Sequence, residues 1–162
     1  MNNEGRKPKV YTALQAQLKA ESFCAYQERA QQEVRDKLYQ WGLHQEDVEN
    51  VISNLIENNF LNEERFAKSY ALGKFRIKGW GKIKISQHLK SKQISKPLIR
   101  IALAEIDLDD YSNKINDTIQ KKINKNIVDL TLLEKSKLIR FLQSRGYELD
   151  LIYEHINQGL NK

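Results

Sequence analysis

One cysteine, one methionine, two prolines and seven glycines are all that this chain of 162 residues holds of those types. A lone Cys24 excludes an internal disulfide framework and a cysteine-only metal site. So little glycine and proline argues against a turn-rich β sandwich. No run of side chains approaches the ~20 consecutive apolar residues of a membrane span. The opening Met1-Asn2-Asn3-Glu4-Gly5 is followed by no apolar signal region. At 40% apolar and 30% charged residues, the chain is neither a membrane protein nor a sparsely apolar disordered one. A soluble, reduced, cytoplasmic protein is expected.

Acidic charge is also missing from one place. Residues 65–104 contain eleven basic and no acidic residues, a net charge of +11. The flanking stretches carry +3 over residues 1–20, −7 over 21–64 and −1 over 105–162, within a total of +6. The block comprises Arg65, Lys68, Lys74, Arg76, Lys78, Lys82, Lys84, Lys90, Lys92, Lys96 and Arg100. Self-repulsion makes a single-sign block costly, and such blocks are the usual footprint of a polyanion partner. The competing reading is a solvated face balanced by the acidic first third.

The chain also repeats itself. With Leu38, Leu89 and Leu142 as origin, Val34, Ile85 and Leu138 stand four residues earlier. Leu43, Ile94 and Tyr147 stand five later; Val48, Ile99 and Ile152 ten later; Ile52, Leu103 and Ile156 fourteen later. At +4 the residues are Gly42, Gln93 and Gly146. Apolar residues four apart share one helix face. Glycine at +4 suits the position just past a helix, where positive φ is needed. The +10 column opens another helix, clearest in Val48, Val51, Ile52, Leu55 and Ile56. Ser95 is a candidate N-cap, with Pro97 tolerated in the first turn. A further helix precedes each pair, over about Thr12–Gln27, Asn62–Phe75 and Asp109–Asn124. Asn62 suits an N-cap, and Glu63 and Glu64 suit the positive end of that helix.

The expected fold is all-α: three tandem three-helix repeats forming an elongated, curved helical array, with neighbouring units packed like solenoid repeats. The expected divisions are a flexible tail at 1–10, then repeats at 11–60, 61–106 and 107–162. One segment competes with this. Lys74–Lys78 and Lys82–Ile85 both alternate around Gly79-Trp80-Gly81, as a basic β-hairpin would. A lone hairpin is marginal, and Ile85 and Leu89 fit the repeat, so a loop followed by a helix is preferred.

Catalytic patterns are absent. Gly81-Lys82 lacks both the earlier glycine of a phosphate loop, where Arg76 stands, and the following Ser or Thr, where Ile83 stands. His44, His88 and His155 lie far apart with no partner at ligand spacing. Cys24, beside Phe23, reads as filling a helix interface. Asn116-Asp117-Thr118 matches a glycosylation acceptor but means nothing without secretion. No catalytic residue, cofactor or metal is expected, and a binding or regulatory protein is favoured over an enzyme.

The run Asn62-Glu63-Glu64-Arg65-Phe66-Ala67, then Gly79-Trp80-Gly81-Lys82, Ile85, Leu89 and Ile94, resembles the second repeat of the RecX family of bacterial recombinase regulators. Cys24-Ala25-Tyr26-Gln27-Glu28-Arg29, with Val34, Leu38 and Gly42-Leu43, resembles the first repeat. The likeness covers about residues 10–160, strongest from 57 to 104 and weakest in the third unit. Gln93 departs from the family's usual glycine, and Gln87-His88 from its acidic residue before Leu89. The resemblance implies tandem three-helix units without enzymatic activity. It implies binding to the RecA recombinase, chiefly its filament on single-stranded DNA, and inhibition of strand exchange and ATP hydrolysis. Roles in DNA repair, homologous recombination and the SOS response go with it.

The partner-contacting residues expected here are Lys74, Arg76, Lys78, Trp80, Lys82, Lys84, Lys90 and Lys92. Two glycines around Trp80 leave room for a ligand backbone, while Trp80 either stacks on a base or is buried against its own unit. Lys82, Lys84 and Lys90 should face outward. A stand-alone nucleic-acid-binding module is the other functional reading, with single-stranded DNA as ligand. A monomer without membrane contact is expected.

Overall fold

A computed structural model describes residues 10–158; the expected tail at 1–10 therefore lies almost wholly outside the described residues. Among these, nine α-helices and one 3-10 turn form, and no strand does. They are α1 (Ala13–Tyr26), α2 (Gln31–Gln40), α3 (Gln45–Glu57), α4 (Glu63–Lys78), α5 (Lys82–Ser91), α6 (Lys96–Ala104), α7 (Leu108–Lys122), α8 (Leu132–Ser144) and α9 (Leu149–Gln158). The short turn Ile127–Asp129 precedes α8.

Local chemistry explains the starts. Thr12 accepts from Gln15 N while the Gln15 side chain returns to the Thr12 N–H, and Thr131 and Glu134 do the same at α8. Asp107 accepts from the N–H groups of Asp109 and Asp110 at 2.9 Å, and Asn62 Oδ1 from that of Arg65 at 2.9 Å. Ser95 precedes α6 with extended backbone but makes no side-chain cap bond. The helix predicted to stop at Phe75 runs on to Lys78. The alternating stretch Lys74–Lys78 is thus its last turn, and the loop shrinks to residues 79–81.

The repeat columns are the core. Val34, Ile85, Leu138, Leu38, Leu89 and Leu142 are all buried, as are Leu43, Ile94, Tyr147, Val48, Ile99, Ile152, Ile52 and Ile156. Leu103 alone of the columns is half-buried. The +4 column has one conformation throughout: φ is +88° at Gly42, +61° at Gln93 and +94° at Gly146. In the first repeat Leu43 N–H donates to Leu38 O at 3.2 Å and Gly42 N–H to Tyr39 O at 2.9 Å. In the third, Tyr147 N–H donates to Leu142 O at 3.2 Å and Gly146 N–H to Gln143 O at 2.9 Å. This is the Schellman helix ending, whose characteristic apolar contact joins the origin and +5 columns.

The chain divides into two compact units. The first runs to Phe66 and includes Lys92–Ile94. Its core gathers Ala16, Ala20 and Cys24 of α1 with Val34, Leu38, Val51, Ile52 and Leu55. Arg35 forms a forked pair with Glu49 at 2.8 and 3.2 Å, and Arg65 meets Glu28. Burial pushes the Cys24 thiol up to about 11, so it stays protonated and unreactive at neutral pH. The second unit holds Ala67–Ser91 and Ser95 onward, and thus most of the second repeat with the third.

Candidate partner-binding surface

The glycine turn between α4 and α5 is built by residues far away in sequence. Gly81 N–H donates to Arg145 O at 2.8 Å, Lys82 N–H to Tyr111 Oη at 2.9 Å, and Ile83 N–H to Gly146 O at 3.0 Å. These three satisfy three of the four free donors at the start of α5, whose N-cap Gly81 has no side chain to do so. Tyr111 Oη in turn donates to Glu148 at 2.5 Å, and Tyr147 Oη to Gly79 O at 2.7 Å. Burial pushes both tyrosine hydroxyls above their ordinary pKa, and for Tyr111 the carboxylate of Glu148 adds to it. Both are fixed donors. A Cβ on Gly81 would sit 2.3 Å from the Gly146 carbonyl. The close backbone approach expected of a ligand at this turn is made instead by the third repeat.

Trp80 is half-buried. Its ring lies 4.5 Å from the His88 ring, with Lys74 Nζ at 5.0 Å and Lys84 Nζ at 4.7 Å from its centroid. These neighbours engage the ring within its own unit, as cation–π contacts and packing would require.

The basic residues divide by environment. Lys82 and Lys84, expected outward, are half-buried: Lys82 Nζ stands 4.9 Å from the Tyr111 ring, and Lys84 also reaches Ser144 O at 3.5 Å. Lys92 pairs with Glu33 at 2.6 Å, and Lys68 with Glu105 at 3.1 Å. Arg76, Lys78 and Lys90 are exposed and make no ion pair among the described residues. Of the eight expected contact residues, these three present the most accessible charge.

The sequence reading missed a second set of cations. Lys114, Lys121 and Lys122 of α7, with Arg145 after α8, join Arg76 and Lys78 around a pocket of about 370 Å³. Counted by segment, residues 105–162 are close to neutral, which hid this clustering. The histidines make no such site. His155 is buried, its Nδ1 2.8 Å from Asn116 Oδ1 and its Nε2 3.3 Å from Ser112 Oγ, and burial pushes its pKa down. Among the described residues no group of three or more His, Cys, Asp or Glu side chains is arranged to hold a metal. No helix there is long and apolar enough to cross a membrane.

The three repeats coincide with known sequence families. Residues 16–55, 62–103 and 109–156 match the models of the first, second and third three-helix domains of RecX. The regulatory protein RecX of Vibrio campbellii is 32% identical over 148 residues, which are 88% of this chain and 94% of that relative. The chain belongs to the RecX family. Regulatory protein RecX of Clostridium botulinum strain Eklund 17B is 32% identical over 135 residues, 82% of this chain. The chain spans about three fifths of the length of such clostridial relatives, 63% in that case and 58% for RecX of Clostridium perfringens strain 13. The fold is shared with the crystal structure of RecX from Lactobacillus salivarius: TM-score 0.83, covering 93% of this chain and 97% of that one, at 23% identity. The third repeat, where the sequence likeness is weakest, is thus a RecX domain as well.

Proposed function

We propose that this RecX-family chain binds the RecA recombinase, chiefly its filament on single-stranded DNA, and lowers strand exchange and ATP hydrolysis. Membership of a family whose curated relatives are named regulatory proteins carries the reading, and the role implied by the RecX resemblance supplies the partner. Three small helical repeats on one chain suit this task physically. Several weak contacts held on a single chain act together through effective concentration. The roles in DNA repair, homologous recombination and the SOS response, and a cytoplasmic location, follow from the same proposal.

The test is the ATPase rate of the cognate RecA on single-stranded DNA as this protein is added. The rate is expected to fall at substoichiometric to stoichiometric ratios, and strand exchange with it. Unchanged rates with excess protein at low salt would sink the proposal.

A second reading, direct binding of single-stranded DNA, is favoured by Arg76, Lys78 and Lys90, which are exposed and make no ion pair among the described residues. Phosphate contacts release counterions, so each one lost flattens the salt dependence by up to about one unit of log–log slope, less on single strands. A Lys78→Ala/Lys90→Ala variant is therefore expected to bind oligothymidylate more weakly and with a slope reduced by up to about 1.4 units, about 0.7 for each lysine on a single strand. Slopes and affinities identical to the wild type would make the block a solvated face. Comparing binding to free RecA, to filament and to bare DNA separates the two readings.

A further inference from the structure

The pocket bounded by α4, α7 and the turn after α8 lies wholly within the second unit. Six cations line it: Arg76 and Lys78 from the last turn of α4, Lys114, Lys121 and Lys122 from α7, and Arg145. No acidic side chain lines it, and none of the six is ion-paired among the described residues. Part of this charge has a structural use. Lys114 Nζ lies 3.5 Å from Arg76 O, and Arg145 donates to Lys78 O, so both offset the free carbonyls ending α4. Lys121 and Lys122 likewise suit the negative end of α7. That preference is a local, end-by-end effect. It does not require two helix ends to converge on one depression together with Arg145. A concave site lined by one sign of charge focuses the field and concentrates anions.

Two further features narrow the ligand. Arg145 Nε is buried and, among the described residues, has no hydrogen-bond partner, an unused donor on a residue of the pocket wall. Ile77, 82% exposed, and the half-buried Phe141 add an apolar side to the same pocket, with Lys122 Nζ 4.5 Å from the Phe141 ring centroid. Inorganic phosphate would use the cations and leave that side idle. At about 370 Å³ the pocket falls in the range of small-molecule sites, about 300–1,000 Å³. A nucleic-acid strand is held differently, along a basic groove with aromatics for successive bases. We infer that this pocket is a binding site for a nucleoside polyphosphate. The phosphates meet the lysines and arginines, and the base lies against Ile77 and Phe141. The inference does not rest on the RecA reading.

The test is isothermal titration calorimetry on the full chain at low salt with ATP, tripolyphosphate and adenosine as probes. ATP is expected to bind, tripolyphosphate more weakly, and adenosine not at all. A Lys114→Ala/Lys121→Ala variant should weaken ATP about tenfold or more, since charge-assisted hydrogen bonds are the strong ones, while Lys90→Ala leaves it unchanged. Lys121→Glu, at an exposed position, gives a second variant whose fold is checked by its melting curve. No binding of ATP at millimolar concentration overturns the inference. So does an equal loss in Lys90→Ala, which would make the binding non-specific. Loss of oligothymidylate but not ATP in the Lys114→Ala/Lys121→Ala variant also overturns it, because the pocket would then belong to a strand-binding surface.

Discussion

Gly146→Ala is expected to destabilise the protein by about 2–5 kcal/mol, combining left-handed backbone strain with overpacking. Gly146 has φ +94°, where an L side chain is strained. Its added Cβ would stand 2.3 Å from Lys84 Cβ and 2.6 Å from Lys84 N. Gly81 tests the other side of the same contact. A Cβ there would meet the carbonyl carbon and oxygen of Gly146 at 2.3 Å and Tyr147 N at 2.4 Å. These are backbone atoms and cannot swing aside. Separating the strands of chain enough to fit one methyl would break the bonds from Gly81 N–H to Arg145 O and Ile83 N–H to Gly146 O. Gly73 is the control. It lies within α4 with nothing inside 4 Å of its added Cβ, so Gly73→Ala should stabilise by about 0.5–1 kcal/mol through helix propensity. Urea unfolding followed by far-UV circular dichroism measures all three. Wild-type midpoints for Gly81→Ala and Gly146→Ala would show that the two turns do not hold each other.

What could be read from the sequence follows from what each feature depends on. The repeat columns depend on short-range periodicity, so Leu38 and its equivalents were visible as core. Gly42 and Gly146 were visible as helix endings because a positive φ leaves its mark on a single residue. Gln93 adopts the same φ without the glycine, and only the column betrayed it. The sequence hides the end of α4 because Phe75 and Ile77 alternate as in a strand. The structure buries Phe75 but leaves Ile77 on the surface, so only one of the two was a core signal. The purpose of Gly81 was not legible, because its partner lies 65 positions further on. The half-burial of Lys84 was not legible for a related reason: Trp80 in the preceding loop draws its charge back. The cationic pocket assembles residues 76 to 145 from three elements, and segment charges average such a gathering away.

The repeat predicts its own energetics. Leu38→Ala, Leu89→Ala and Leu142→Ala should each cost about 2–5 kcal/mol, because every one removes a side chain that is wholly shielded from solvent. That is a large fraction of the roughly 5–15 kcal/mol that holds a domain folded. The three sites share more than burial. In the first and third repeats the leucine carbonyl accepts the helix-ending bond from the +5 residue, so a cavity there also loosens the turn. Leu103 is the internal comparison, since it is the column residue that stays half-buried. Its cavity would open toward solvent, and its transfer term is smaller, so Leu103→Ala should cost less than Leu89→Ala in the same repeat. Urea midpoints, with m-values checked for constancy, give the ranking directly. A cost for Leu103→Ala equal to that of the three origin leucines would mean that burial does not set the energetics of these columns. A Leu89→Ala variant as stable as wild type would remove the second repeat's claim to a core of the same kind as the other two.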